Sequence, residues 1–186
     1  VEVAPLAWAG GMGEVAGSLP RALRRLGVDV RVVMPKHRAA AAAAPYLQRV
    51  VDYCPVHMPW WVTGCAVDET TLPYSEVPVY LVEHHHYYDR EGIYGPPGGS
   101  YGDNLERFAF FCRAVIESLS GLGWHPDIVH LNDWHTALIA LYQRSWDLPF
   151  HTVYTAHHLG PAYHGVFPAD QQTLAGIDLG HPQARL

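Results

Sequence analysis

The alternation of apolar and polar positions divides the chain into strand-length and helix-length segments. Residues 28–34 (VDVRVVM) are rich in β-branched side chains and run into Pro35, the pattern of a buried parallel strand. Before it, residues 14–26 place Val15, Leu19, Leu23 and Leu26 at helical spacing, with Gly27 as a C-terminal stop. Pro20 should bend that helix or mark where it begins. Residues 77–82 (VPVYLV) predict a second strand, and the alanine-rich residues 39–44 a short helical turn. The longest helical pattern covers 103–122. Its apolar stripe is Leu105, Phe108, Phe111, Cys112, Val115, Ile116 and Leu119, with Asp103 as N-cap and Gly121 as stop. Residues 127–131 (DIVHL) predict a short strand, 134–146 a helix and 151–156 (HTVYTA) another strand. Strands separated by helix-length segments make the fold class α/β, a doubly wound Rossmann-like parallel sheet. Both ends read as cut. Residues 1–5 resemble the exit of a strand whose beginning is missing, so a fragment of a longer polypeptide is expected.

Composition narrows the classes. A chain of 186 residues, 49% hydrophobic and only 16% charged, is long and apolar enough for one folded domain. Its formal charge of −6 argues against nucleic acid or an anionic membrane as partner. No apolar run reaches the length of a membrane span and no signal peptide is visible, so a soluble, cytoplasmic protein is expected. Cys54, Cys65 and Cys112 follow no CxxC spacing and read as reduced thiols, mostly core.

Three segments carry candidate chemistry. Ala9-Gly10-Gly11-Met12-Gly13-Glu14-Val15 is a glycine-rich turn opening a helix. There a ligand can approach the backbone, and free N–H groups favour phosphate. A tight turn with no ligand fits these residues equally well. His130-Leu131-Asn132-Asp133-Trp134-His135 sits where a strand ends, the place where ligands collect in open α/β sheets. Asp133 beside aromatic rings suits a sugar, or it caps the next helix. Thr155-Ala156-His157-His158-Leu159, continuing to Tyr163-His164-Gly165, is another strand end followed by a loop, with imidazoles able to bond hydroxyl or phosphate oxygens. The run His84-His85-His86 cannot converge on one ion if it extends a strand, so no metal is expected. Trp60-Trp61 reads as one buried and one half-exposed strand residue, or as a sugar platform.

In order and spacing these motifs, with Tyr88-Asp89-Arg90 and Gly102-Asp103-Asn104-Leu105-Glu106-Arg107-Phe108 between them, resemble bacterial and plant starch/glycogen synthases over essentially the whole chain. The resemblance implies the N-terminal half of a two-domain GT-B glycosyltransferase, with residues 1–186 as its N-terminal catalytic domain. It implies a nucleotide-glucose donor, ADP-glucose favoured over UDP-glucose, an α-1,4-glucan acceptor, the C-terminal domain of the same enzyme as partner, and no further cofactor. By position, His157 matches the histidine beside the donor glucose and Asp133 the active-site aspartate. Gly10 and Gly11, with Trp8 and Glu14, match the loop that approaches the diphosphate. Tyr88, Asp103, Asn104, His135 and Tyr163 fall on the acceptor side.

The sequence also departs from that pattern. Trp8 and Ala9 stand where the family has Lys-Thr, so a cation is lost where a diphosphate should sit. Met12 replaces Leu, Glu14 replaces Asp, His158 replaces Asn and His164 replaces Gln. A glucan-binding module without catalysis is therefore a second expectation.

Overall fold

The computed structural model describes residues 1–159, 167, 168, 171, 175 and 176. The chain divides into two compact units, Val1–Cys54 with Gly64–Tyr101, and Pro55–Thr63 with Gly102–Leu186.

The first unit opens with a tight turn in which Val3 bridges Ala7, in place of the strand exit expected for residues 1–5. Helix α1 (Gly11–Arg25) follows. Glu14 in its first turn and Arg24 and Arg25 in its last complement the helix dipole. It ends as the sequence predicts. Gly27 takes φ +85°, its N–H bonds Arg24 O, and the Val28 N–H returns to Leu23 O, a Schellman closure. Pro20 lies inside the helix and does not begin it. Gly17 faces the Ala4 carbonyl so closely that any Cβ would overlap it, which lets α1 sit directly on the opening turn.

Strand β1 (Val32–Pro35), helix α2 (Arg38–Ala43), strands β2 (Gln48–His57), β3 (Val62–Thr71) and β4 (Pro78–Glu83), and the one-turn helix α3 (His85–Tyr88) complete this part of the chain. The sheet order is β1-β4-β3-β2. β1 and β4 are parallel, with Val32 opposite Val79 and Pro35 opposite Val82, while β3 runs antiparallel to β4. The hydrophobic pattern predicts the parallel pair but not β2 and β3. Their burial does not alternate cleanly, and β2 is largely exposed, so period-2 reading finds little there. Trp60 and Trp61 are not strand residues. They lie in the turn from β2 to β3, where the Met58 N–H bonds Trp61 O, and Trp60 is 72% exposed. Val3, Leu6, Met34, Leu72, Val79 and Leu81 form the core of this unit. Near the strand ends, Lys36 contacts Asp68 and Glu83, and Arg49 contacts the same two carboxylates. Two cations and two anions are thereby neutralised across β1, β4, β3 and β2.

The second unit contains α4 (Asn104–Gly121), β5 (Ile128–Asn132), α5 (Trp134–Ser145) and β6 (His151–Thr155). β5 and β6 pair in parallel, Ile128 opposite His151 and Asn132 opposite Thr155, joined by α5 as a βαβ unit. The predicted stripe of α4 is buried at Leu105, Phe108, Phe111, Cys112 and Val115, while Ile116 and Leu119 are half-buried. Phe110, Arg107 and Arg113 are buried as well, so α4 is enclosed on more than one face. Arg113 donates to His57 O at 2.5 Å and lies over the Tyr142 and Trp146 rings. Cys54, Cys65 and Cys112 are buried free thiols, and burial pushes the Cys112 thiol up to about 12. Among the described residues no helix is long and apolar enough to cross a membrane.

Candidate active site

The glycine turn is built on backbone. Gly10 is the N-cap of α1 in an extended conformation, and neither Gly10 nor Gly11 would meet anything within 4 Å if given a Cβ. Their outer faces are therefore open, as a ligand-approach site requires. Gly13 has the opposite reason to be glycine, since a Cβ there would overlap Trp8 Cβ and crowd the Glu2 carboxylate. Trp8 is 50% exposed, and Glu14 is exposed in the first helical turn. Beneath the turn, the Ala9 N–H donates to Glu2 Oε2 at 2.6 Å and the Gly10 N–H to the same oxygen at 3.0 Å. Nothing in the glycine motif points to Glu2, which lies ahead of it in sequence.

The junction after β5 is built on side chains. Asp133 has φ +55° and ψ 178°, a backbone region that residues with a Cβ rarely occupy. It is held there from three directions. Its N–H bonds Thr155 O at 3.0 Å, its carbonyl accepts the Thr136 N–H at 3.1 Å, and its Oδ1 accepts the His157 N–H at 2.6 Å. Asp133 occupies the N-cap position of α5, but its side chain makes no cap hydrogen bond. The Thr136 hydroxyl accepts the Asn132 N–H at 2.7 Å, just ahead of the helix. The Asp133 carboxylate is turned to the loop after β6, with Oδ2 3.8 Å from His158 Nδ1.

The His157 ring lies 2.9 Å from Asn132 Oδ1 through Nε2. An amide oxygen only accepts, so Nε2 carries the proton in this pairing. His130 Nε2 pairs with Thr155 Oγ1 at 2.7 Å. Burial, with a further contribution from His157, pulls the His130 pKa below its ordinary value. Burial, with Asp133 adding to it, raises that of Tyr154. The ends of two parallel strands thus gather a fixed carboxylate and three imidazoles. Sequence reading finds Asp133, His157 and their neighbours in the motif, and misses the supporting roles of Thr136 and Thr155.

The acceptor-side candidates are placed differently. Tyr88 is fully buried, with its ring 5.8 Å from that of His37, so its surface serves the core of the first unit. Asn104 is buried and accepts from Arg107 Nη1 at 2.6 Å. His135 is buried against Phe108 and Trp134, with ring centroids 4.8 and 4.1 Å away. Asp103 is half-buried at the N-cap of α4 without a side-chain cap bond. Tyr163 and His164 lie outside the described residues. His84-His85-His86 does not extend the strand before it. β4 stops at Glu83, and His85 and His86 enter α3 while the His84 ring stacks on Tyr87 at 4.4 Å. Among the described residues no three His, Cys, Asp or Glu side chains form a set able to hold a metal.

Comparison with known proteins identifies the family. The family model "Starch synthase catalytic domain" matches residues 1–185. Glycogen synthase 2 of Geobacter sulfurreducens is 43% identical over 182 residues, covering 95% of this chain and 37% of that protein. The glycogen synthase of Moorella thermoacetica is 41% identical over 177 residues, covering 90% and 33%. The catalytic domain of starch synthase IV from Arabidopsis thaliana, solved with ADP and acarbose bound, superposes with a TM-score of 0.83 at 27% identity, over 98% of this chain and 38% of that one. The chain thus spans about a third of the length of these relatives. Its mixed α/β architecture with parallel strands is that of the matching part of a GT-B glycosyltransferase. The glycine turn, the strained aspartate after β5 and the histidine after β6 all fall within the matched residues, and the chain belongs to the starch synthase catalytic domain family.

Proposed function

We propose that this chain is the acceptor-side half of a retaining glucosyltransferase. The enzyme would move glucose from ADP-glucose to the non-reducing end of an α-1,4-glucan, in the cytoplasm and together with a C-terminal, donor-binding domain. UDP-glucose is the alternative donor. The observation that carries the reading is Asp133, a strained residue whose carboxylate is held by the His157 N–H at the ends of β5 and β6. Strain of that kind costs on the order of 1–3 kcal/mol and persists where the surroundings over-determine it, as at active sites. A relative bound to ADP and acarbose supports the donor and acceptor classes.

Retaining transfer develops positive charge on the donor sugar and negative charge on the leaving diphosphate. A carboxylate such as that of Asp133 favours the first charge, and a helix N-terminus such as that of α1 favours the second. Trp8 and Glu14 border that turn. Asp103 and Tyr163 are proposed to contact the acceptor glucan. Tyr88, Asn104 and His135, proposed on the same side by the family pattern, are buried, so their contribution there would be indirect. Alone, the chain is expected to transfer glucose poorly, and robust incorporation of labelled glucose into glycogen would overturn that.

A second reading, a glucan-binding module without catalysis, is favoured by one feature, the half-exposed Trp8 where the family pattern has a lysine. An indole stacks on a sugar or base but cannot pair with a phosphate. Calorimetric titration with maltoheptaose and, separately, with ADP-glucose tests both. Binding of both ligands supports the transferase half. Binding of glucan alone fits the acceptor-side half as well as the module, and glucose transfer restored by adding the C-terminal domain then supports the transferase half. If a folded chain binds neither, both readings fail.

A further inference from the structure

Glu2 is only 5% exposed, yet it carries a carboxylate directly under the glycine turn. Oε2 accepts the N–H groups of Ala9 and Gly10, at 2.6 and 3.0 Å, and Oε1 accepts the Tyr94 hydroxyl. The missing Cβ at Gly13 keeps room for it, since a methyl there would lie 3.2 Å from Oε2. Three donors thus converge on one buried carboxylate, and two of them are the backbone amides that lead into α1. Without an acceptor, those two partly buried amides would be left unpaired or would have to turn outward.

We propose that Glu2 is the positioning residue of the glycine turn. Its carboxylate sets the backbone at Ala9 and Gly10 so that Gly10 and Gly11 present open backbone at the N-terminus of α1, and Tyr94 orients the carboxylate. The functional consequence rests on the reading of that turn as the diphosphate-facing part of the donor site. Glu2 then acts in two opposed ways. It gives the turn its shape, and it places a negative charge close to where a diphosphate would lie, which weakens attraction for that anion. Glutamine separates the two effects. Its oxygen still accepts the two amides and its NH2 can donate to the tyrosine oxygen, while the charge is gone.

The test is amide hydrogen exchange of the 186-residue chain, with ADP titration beside it. Glu2→Ala is expected to speed exchange at Ala9 and Gly10 by about tenfold or more, leaving the amides of α4 unchanged. Glu2→Gln should keep the protection and tighten ADP binding by about threefold or more. Unchanged exchange at Ala9 and Gly10 in Glu2→Ala overturns the positioning role whatever ADP does. If Glu2→Ala fails to fold, Tyr94→Phe decides. Severalfold faster exchange at the same two amides is expected, and no change overturns the role. If exchange responds as expected but neither the parent chain nor Glu2→Gln binds ADP at millimolar concentration, positioning stands and the donor-site reading of the turn fails.

Discussion

The turn that opens α1 and the junction after β5 are both strained or open pieces of backbone next to a helix N-terminus, yet they are built from opposite materials. At the first, the exposed surface is glycine backbone, and the side chain that shapes it is hidden below. At the second, the exposed chemistry is side chains, and the backbone of Asp133 is bent to deliver them. A backbone site tolerates a change of side chain where space is open and fails where its support is removed. A side-chain site fails when its own residue changes. Substitutions at the two places should therefore differ in kind.

The largest effect is expected at Asp133. A β-branched residue at φ +55° is strained and also loses the acceptor for the His157 N–H. Asp133→Val should lower stability by about 3 kcal/mol. Asp133→Asn keeps the acceptor and carries the same backbone strain as the aspartate, so its cost should stay below about 1 kcal/mol. Chemical denaturation of both variants checks this. Equal losses would show that backbone strain at this residue is not what the surroundings hold in place.

Next is Asn104. Its Oδ1 accepts a charged donor from the buried Arg107, and Asn104→Leu removes that acceptor while keeping the volume apolar. A loss of about 2 kcal/mol is expected, from a hydrogen bond to a charged group with no solvent to replace it. Unchanged stability would leave Asn104 free to be read as a ligand contact alone.

These two residues also show how far the sequence could be read. The helix of residues 103–122 follows from periodicity because its apolar stripe is buried or half-buried, and the strands at 127–131 and 151–156 follow from short β-branched runs between turn residues, even though β6 is mostly exposed. Asp133 and His157 stand out because carboxylates and imidazoles at strand ends are chemically conspicuous. Three things were not legible. Strands β2 and β3 lack a clean alternation because β2 is largely exposed. The Asp133 carboxylate bonds the His157 N–H and not its own helix, which its N-cap position does not announce. Glu2 is tied to Ala9, Gly10 and Tyr94 only by folding, and its partner Tyr94 is remote in sequence. Periodicity reports burial and motifs report chemistry, but neither reports which distant group satisfies a buried donor.

A smaller, pH-dependent effect is expected from the ion cluster of the first unit. Burial opposes the charges of Glu83 and Lys36, but their mutual bonds and those to Asp68 and Arg49 outweigh it, lowering the Glu83 pKa and raising that of Lys36. A depressed carboxylate stabilises the fold above its unfolded value, near 4.5, and loses that contribution as pH falls through its folded value. A raised lysine stabilises below 10.5 and loses its contribution as pH rises through its folded value. Stability should therefore be flat across neutral pH and fall at both extremes. Glu83→Gln should flatten the acid limb, by about 1 kcal/mol or less for partly exposed groups. Melting curves from pH 3 to 7 check it, and an unchanged acid limb in the variant would remove the cluster from the account.

The smallest effect on stability is the sharpest on the contrast between the two sites. Gly11 is the first residue of α1 and a Cβ there meets nothing within 4 Å, so Gly11→Ala should stabilise the helix by a few tenths of a kcal/mol, the usual gain in helix propensity. Gly13→Ala, two residues on, drives a methyl into Trp8 Cβ and should destabilise by about 1–3 kcal/mol. If the turn receives a diphosphate through its open backbone, the stabilised Gly11→Ala variant should also be the one that binds ADP-glucose less well, because the added methyl occupies the approach. Thermal melts paired with titration separate the two readings of this glycine. A gain in stability with unchanged ligand binding would mean that the open space before α1 is merely solvent. A gain in stability with weakened binding would mean that glycine is kept there at the expense of the helix it begins.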